Sequence, residues 1–120
     1  MCILKITNGK AVQLDTDLEL KTLQSLVGGC IEVVYPFEDP VALICNEEGK
    51  LQGLSPNFAL SYQNKVYDVV AGTCLICGIS EESLSGLTEG IAAKFMDMFN
   101  SARTGIVVGK FIPVIRIDQQ

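Results

Sequence analysis

Residues Val66–Ile79 read VYDVVAGTCLICGI. β-Branched and apolar residues dominate the stretch, which makes it the longest β pattern in the chain. Gly72 interrupts it, and a glycine inside a strand pattern marks a bulge or a close approach of other backbone. The second half carries Cys74 and Cys77, two thiols at the spacing used by zinc knuckles and thiol-redox sites. A strand forbids both uses. Its side chains alternate faces, so residues three apart point to opposite sides of the sheet. Both cysteines are therefore expected in the core. No second pair at that spacing exists to complete four ligands. No metal and no cofactor is expected.

Upstream, Cys2–Ile6 and Ala11–Leu14 flank Asn8-Gly9, the strongest local signal for an antiparallel hairpin. Thr16-Asp-Leu-Glu19 reads as a capping box opening a helix. Leu20, Leu23, Leu26 and Val27 would form its buried face, and Gly28-Gly29 would end it. Cys30–Phe37 and Val41–Cys45 read as strands. Asn46-Glu-Glu-Gly49 reads as a tight turn that returns Lys50–Leu54 as a hairpin partner. Ser55–Leu60 reads as an irregular or one-turn helical segment.

Downstream, Glu81–Gly86 reads as a polar loop. Thr88 caps a second helix in which Ile91, Phe95, Met98 and Phe99 share one face. The tail Ile106–Ile117 reads as a β-branched strand. Pro113 within it lacks a ladder donor, which places that strand at an edge or bends it. The expected fold is α+β: one domain over 1–120, with a small, mostly antiparallel sheet and two helices.

The 120 residues are 48% hydrophobic and 19% charged, with net charge −5. That apolar excess suggests a surface covered by another subunit, hence a homo-oligomer. The acidic balance and the lack of any basic run argue against DNA or RNA as partner. No run nears the roughly 18 apolar residues of a membrane span, and MCILKITNG turns polar too soon for a signal peptide. A cytoplasmic location follows, where five cysteines stay reduced. Histidine is absent. Ser-His-Asp triads, Cys-His dyads and Cys/His zinc sites each lose a member, so no catalytic residue is assigned.

The ordered pieces Val27-Gly28-Gly29-Cys30-Ile31-Glu32, Asn46-Glu47-Glu48-Gly49-Lys50-Leu51, Gly53-Leu54-Ser55-Pro56-Asn57 and Val69-Val70-Ala71-Gly72-Thr73 resemble a small family. It is a domain of unknown function, common in bacteriophages and mobile elements. The resemblance spans about Ile3 to Leu87, and Thr104–Gln120 falls outside it. It implies a phage-like context, in which small proteins without a catalytic set commonly act by binding. By analogy, one such task is to sequester the cyclic nucleotide signals of bacterial immunity.

The candidate ligand-binding residues follow from this expectation. Arg103 and Arg116 are the chain's two arginines, and a guanidinium flanked by Ile115 and Ile117 needs a carboxylate or a phosphate partner. An ion pair of Arg116 with Asp118 or Glu32, or simple exposure, is the competing reading. Asn46 and Asn57 could read a base or ribose edge, although turn chemistry explains asparagine there equally. Tyr62 could stack on a base. Thr88, at an open helix N-terminus, and Lys110 could meet an anion. Glu47 and Glu48, adjacent on a turn, read as solvated. The leading expectation is a non-catalytic protein that sequesters a nucleotide-like messenger. The rival is a protein–protein interaction module that inhibits a host enzyme.

Overall fold

The computed structural model describes residues 1–81, 83–107 and 109–118. In chain order the elements are β1 Cys2–Thr7, β2 Lys10–Asp15, α1 Leu20–Val27, β3 Ile31–Val34, β4 Val41–Asn46 and β5 Pro56–Tyr62. They continue as β6 Lys65–Ala71, β7 Cys74–Ser80, β8 Ser83–Ser85, α2 Glu89–Asn100, β9 Thr104–Val107 and β10 Lys110–Arg116. The described chain is 49% strand and 17% helix, in two sheets. This corrects the α+β expectation of one small sheet with two helices. The fold is β-rich.

The first sheet runs β2-β1-β7-β4-β3, and β8 also pairs with β7. Every pair in it is antiparallel. The second sheet runs β6-β5-β10-β9, with β5 and β10 parallel. The stretch 66–79 decides this arrangement. It is two strands in two different sheets, β6 and β7, and Gly72-Thr73 is the crossover between them. Gly72 takes φ +81°, and a Cβ there would lie 2.7 Å from Leu54 Cδ1. The left-handed φ favours glycine, and a Cβ would oblige the Leu54 side chain to shift.

β4 and β7 are near-continuous apolar runs because both faces of the first sheet are covered. One face presents Ile3, Ile44, Leu75 and Cys77 to Leu23 and Val27 of α1. The other presents Leu4, Ile6, Leu43, Cys74 and Ile76 to a larger core. That core includes Phe58, Leu60 and Ile115 of the second sheet and Phe95 and Phe99 of α2. Phe37–Phe95 and Phe58–Phe99 meet edge-to-face at 4.9 Å, geometry favoured by the ring quadrupoles.

The Asn8-Gly9 hairpin forms as expected, with φ +52° and +74° at the turn. Gly28 at φ +81° ends α1. Thr88 caps α2, its Oγ1 accepting from the Ile91 amide at 3.3 Å. Other readings are corrected. The helix after β2 starts at Leu20 with no side-chain cap. The Thr16 amide instead donates to Met1 O, and Asp17 Oδ1 accepts from the Glu19 amide. Lys50–Leu54 is not a strand. Glu48 O accepts from Gln52 and Gly49 O from Leu54, so the segment coils on itself and β4 pairs with β3 and β7 instead. The segment expected to be irregular or helical forms most of β5, and Ser83–Ser85 is strand where a loop was expected; Glu82 lies outside the described residues.

The tail is a hairpin of β9 and β10 rather than one strand, and Val108 lies outside the described residues. β10 is interior and not an edge. Its residues 110–113 pair with β9 and its residues 114–116 with β5. Pro113 stands where one partner is exchanged for the other, so its missing donor costs little. Its ring packs on Gly9, where a Cβ would lie 2.2 Å from Pro113 Cγ.

Candidate functional site

α2 carries Lys94, Asp97, Met98 and Ser101 at helical spacing, which sets them on one side. Beyond its end the chain passes through Arg103 and returns as β10, whose Val114 amide donates to Arg103 O at 2.9 Å. This return brings Arg103 and Arg116 to the rim of one open cleft of about 560 Å³. Met98, Ala102 and Val114 supply an apolar part of its lining, and Asp97 an acidic one.

Neither guanidinium has a carboxylate within 4.0 Å among the described residues. Arg116 Nη2 donates to the amide oxygen of Asn64. The Asp118 carboxylate instead accepts from the Gln63 amide at 3.0 Å. Of the competing reading, the ion pair with Asp118 or Glu32 is absent among the described residues, whereas the alternative of simple exposure holds: Arg116 is exposed, with the Asn64 amide as its neutral contact. Lys94 is held by Asp39 at 2.9 Å. With Lys94 and Asp39 cancelling, two arginines face one aspartate, and the cleft keeps one spare positive charge in a protein of net charge −5.

The other candidates do not join this cleft. Asn57 is 2% exposed, and its whole amide is used internally. Its Oδ1 accepts from the Gly9 amide at 2.6 Å, and its Nδ2 donates to Ile6 O at 2.7 Å and Gly72 O at 2.9 Å. Asn46, 6% exposed, donates to Val27 O and to Gln52 Oε1, and accepts from the Glu48 amide at 2.8 Å. Both asparagines are latches between loops. Thr88 is occupied by capping and sits at the far end of α2 from Arg103, about 18 Å along a 12-residue helix. Lys110 lines a different cleft, with Lys50 and Ile112. Tyr62 is exposed at the end of β5 and lines none of these clefts. Sequence reading missed Lys94 and Asp97, although their spacing, three residues from each other and seven and four from Ser101, was visible on the α2 pattern.

A second cleft, of about 350 Å³, is acidic, with Glu32, Glu47, Glu48 and Asp68 around Cys45 and Lys50. Lys50 Nζ contacts Asp68 at 2.5 Å. Burial, then the nearby Glu32 and Asp68 charges, push the Cys45 thiol up to about 11. It stays neutral at pH 7 and is a poor nucleophile. Cys74 and Cys77 sit in the two separate cores on opposite faces of β7. Burial raises both, Cys77 to about 12.

Fold and cleft together define a β-rich, two-sheet domain with a weakly basic, half-apolar surface site. The family model Domain of unknown function (DUF3846) matches residues 1–100, and the chain belongs to that family. Searches of curated proteins and of solved structures returned no match. The matched region supplies Lys94, Asp97 and Met98, while both arginines lie in the tail beyond it.

Proposed function

We propose that this protein is a non-catalytic binding protein of bacteriophage type. It captures a nucleotide-derived immune messenger, of the cyclic oligonucleotide or cyclic ADP-ribose class, in the host cytoplasm and withholds it from its receptor. One observation carries the reading: the two arginines, 13 positions apart in sequence, line one cleft with no carboxylate partner among the described residues. Forked guanidiniums match phosphate oxygens, and the Met98, Ala102 and Val114 surface offers a base an apolar contact. The resemblance to a family common in phages supplies the context.

Capture at micromolar messenger levels calls for nanomolar affinity, about −12 kcal/mol. An open cleft reaches that more readily when a second subunit closes it, so a homo-oligomer belongs to the proposal. Calorimetric titration with cyclic dinucleotides, cyclic trinucleotides and cyclic ADP-ribose isomers tests it. One class should bind, weaken with added salt, and be recovered unchanged. The Arg103→Ala/Arg116→Ala variant should lose that binding while keeping its fold. No heat across the panel, or equal binding by the double variant, sinks the proposal.

The exposed apolar pair Ile106 and Phe111 favours a second reading, an interaction module that inhibits a host enzyme. Inhibition by the wild type that Phe111→Lys abolishes, with no ligand bound from the panel, would select it.

A further inference from the structure

A third cleft, of about 340 Å³, opens at the seam where the β1–β2 turn, the end of α1, residues 54–57 and the Gly72-Thr73 crossover meet. Its lining contains no ionisable side chain, whereas four other clefts of the surface each contain at least two. Asn57 forms part of its wall, but that amide is fully engaged in the chain. Asn8, Ser25, Ser55 and Thr73 are different: they line the same cleft, and their side chains have no hydrogen-bond partner among the described residues. Leu26 and Leu54 add an apolar surface.

We infer that this seam binds an uncharged ring bearing neighbouring hydroxyls, either a free sugar or the ribose of a nucleoside. The chemistry of the lining selects that class. Hydroxyl and amide side chains both donate and accept, as do the hydroxyls of a vicinal diol. A phosphate or carboxylate entering here would lose hydration with no cation to replace it. The two leucines meet the C–H face of the ring, and the volume lies at the lower end of small-ligand sites. The backbone is already set by the left-handed Gly28 and Gly72 and by the Asn57 latch, so binding orders little. The inference does not rest on the arginine cleft.

Amide NMR titration of the full chain with D-ribose, D-glucose, adenosine and inorganic phosphate tests it. Saturable shifts are expected at Gly28, Gly72 and Thr73, and none there with phosphate. Binding of both free sugars supports a sugar source; binding of adenosine, with or without ribose, supports a nucleoside. Ser55→Ala and Thr73→Val should each weaken binding about five- to tenfold, the worth of one neutral hydrogen bond. Neither should shift the unfolding midpoint, because neither hydroxyl has a partner among the described residues. Arg103→Ala/Arg116→Ala should leave the binding unaltered, which separates this site from the proposed anion site. Absence of saturable shifts up to roughly 10 mM, beyond the weakest useful millimolar affinity, would overturn the inference. So would binding that both hydroxyl deletions leave intact.

Discussion

Asn57 accepts from the Gly9 amide at 2.6 Å and, through the same side chain, reaches Ile6 O and Gly72 O. One residue of the second sheet thus ties the first hairpin to the crossover between sheets. Truncation to alanine strands three backbone groups at a site 2% exposed. With unsatisfied buried groups costing about 1–3 kcal/mol each, Asn57→Ala should destabilise by about 3 kcal/mol. Urea denaturation measures it, and a loss below about 1 kcal/mol would show that water replaces the latch.

Gly72 faces two constraints, a left-handed φ and the Leu54 side chain at 2.7 Å from an added Cβ. Gly72→Ala should cost about 1–3 kcal/mol, since both strain and overlap enter. The double variant with Leu54→Ala should recover the overlap and keep the φ strain. The double-mutant cycle should therefore show coupling of at least about 0.5 kcal/mol. Strict additivity would place the whole cost in the backbone.

The raised thiols fix the alkaline limb of stability. A folded-state value above the unfolded one means that the unfolded chain loses its proton first as pH rises. Stability contributed by the neutral thiols is full below the ordinary value near 9. It declines as pH climbs toward the folded values of about 11 for Cys45 and about 12 for Cys77. Denaturation midpoints should therefore be flat to about pH 8.5 and fall above it. Cys77→Ala, although less stable at neutral pH, should show a shallower fall. In native protein at pH 8, iodoacetamide should reach the exposed Cys30 and leave Cys74 and Cys77 unmodified; equal labelling of all three would refute their burial.

Local signals were legible where chain chemistry is local. Asn8-Gly9, the Gly28 helix stop, the Thr88 cap and the split of Cys74 from Cys77 all follow from short-range geometry. The second sheet was not legible, because its defining bond is the parallel pairing of β5 with β10, residues some 55 positions apart. The segment Pro56–Tyr62 is entered through a turn-like Ser55-Pro56-Asn57, and nothing within seven residues says that a distant strand will claim it. For the same reason Asn57 reads as a turn residue in sequence and is a buried latch in the fold. Arg103 and Arg116 could be singled out as charges in need of a partner, but their convergence depends on the β9–β10 return.

Ile106 and Phe111 are cross-strand partners on the β9–β10 hairpin, 68% and 76% exposed. β9 is also the outer strand of its sheet, with backbone groups free to pair. The edge at β2 is handled otherwise: Asn100 of α2 accepts from the Ala11 amide at 2.8 Å and donates to Ala11 O at 3.0 Å. With the β2 edge of the first sheet plugged and the β9 edge of the second carrying bare apolar side chains, self-association is expected to run through β9. Sedimentation equilibrium should find a dimer or larger species in the wild type. The Ile106→Lys/Phe111→Lys variant should be monomeric, with unfolding changed by less than about 0.5 kcal/mol because both side chains are already exposed. A wild type that stays monomeric at roughly 100 µM, enough to populate any dimer tighter than about −5.5 kcal/mol, would remove the subunit that the arginine cleft needs for closure.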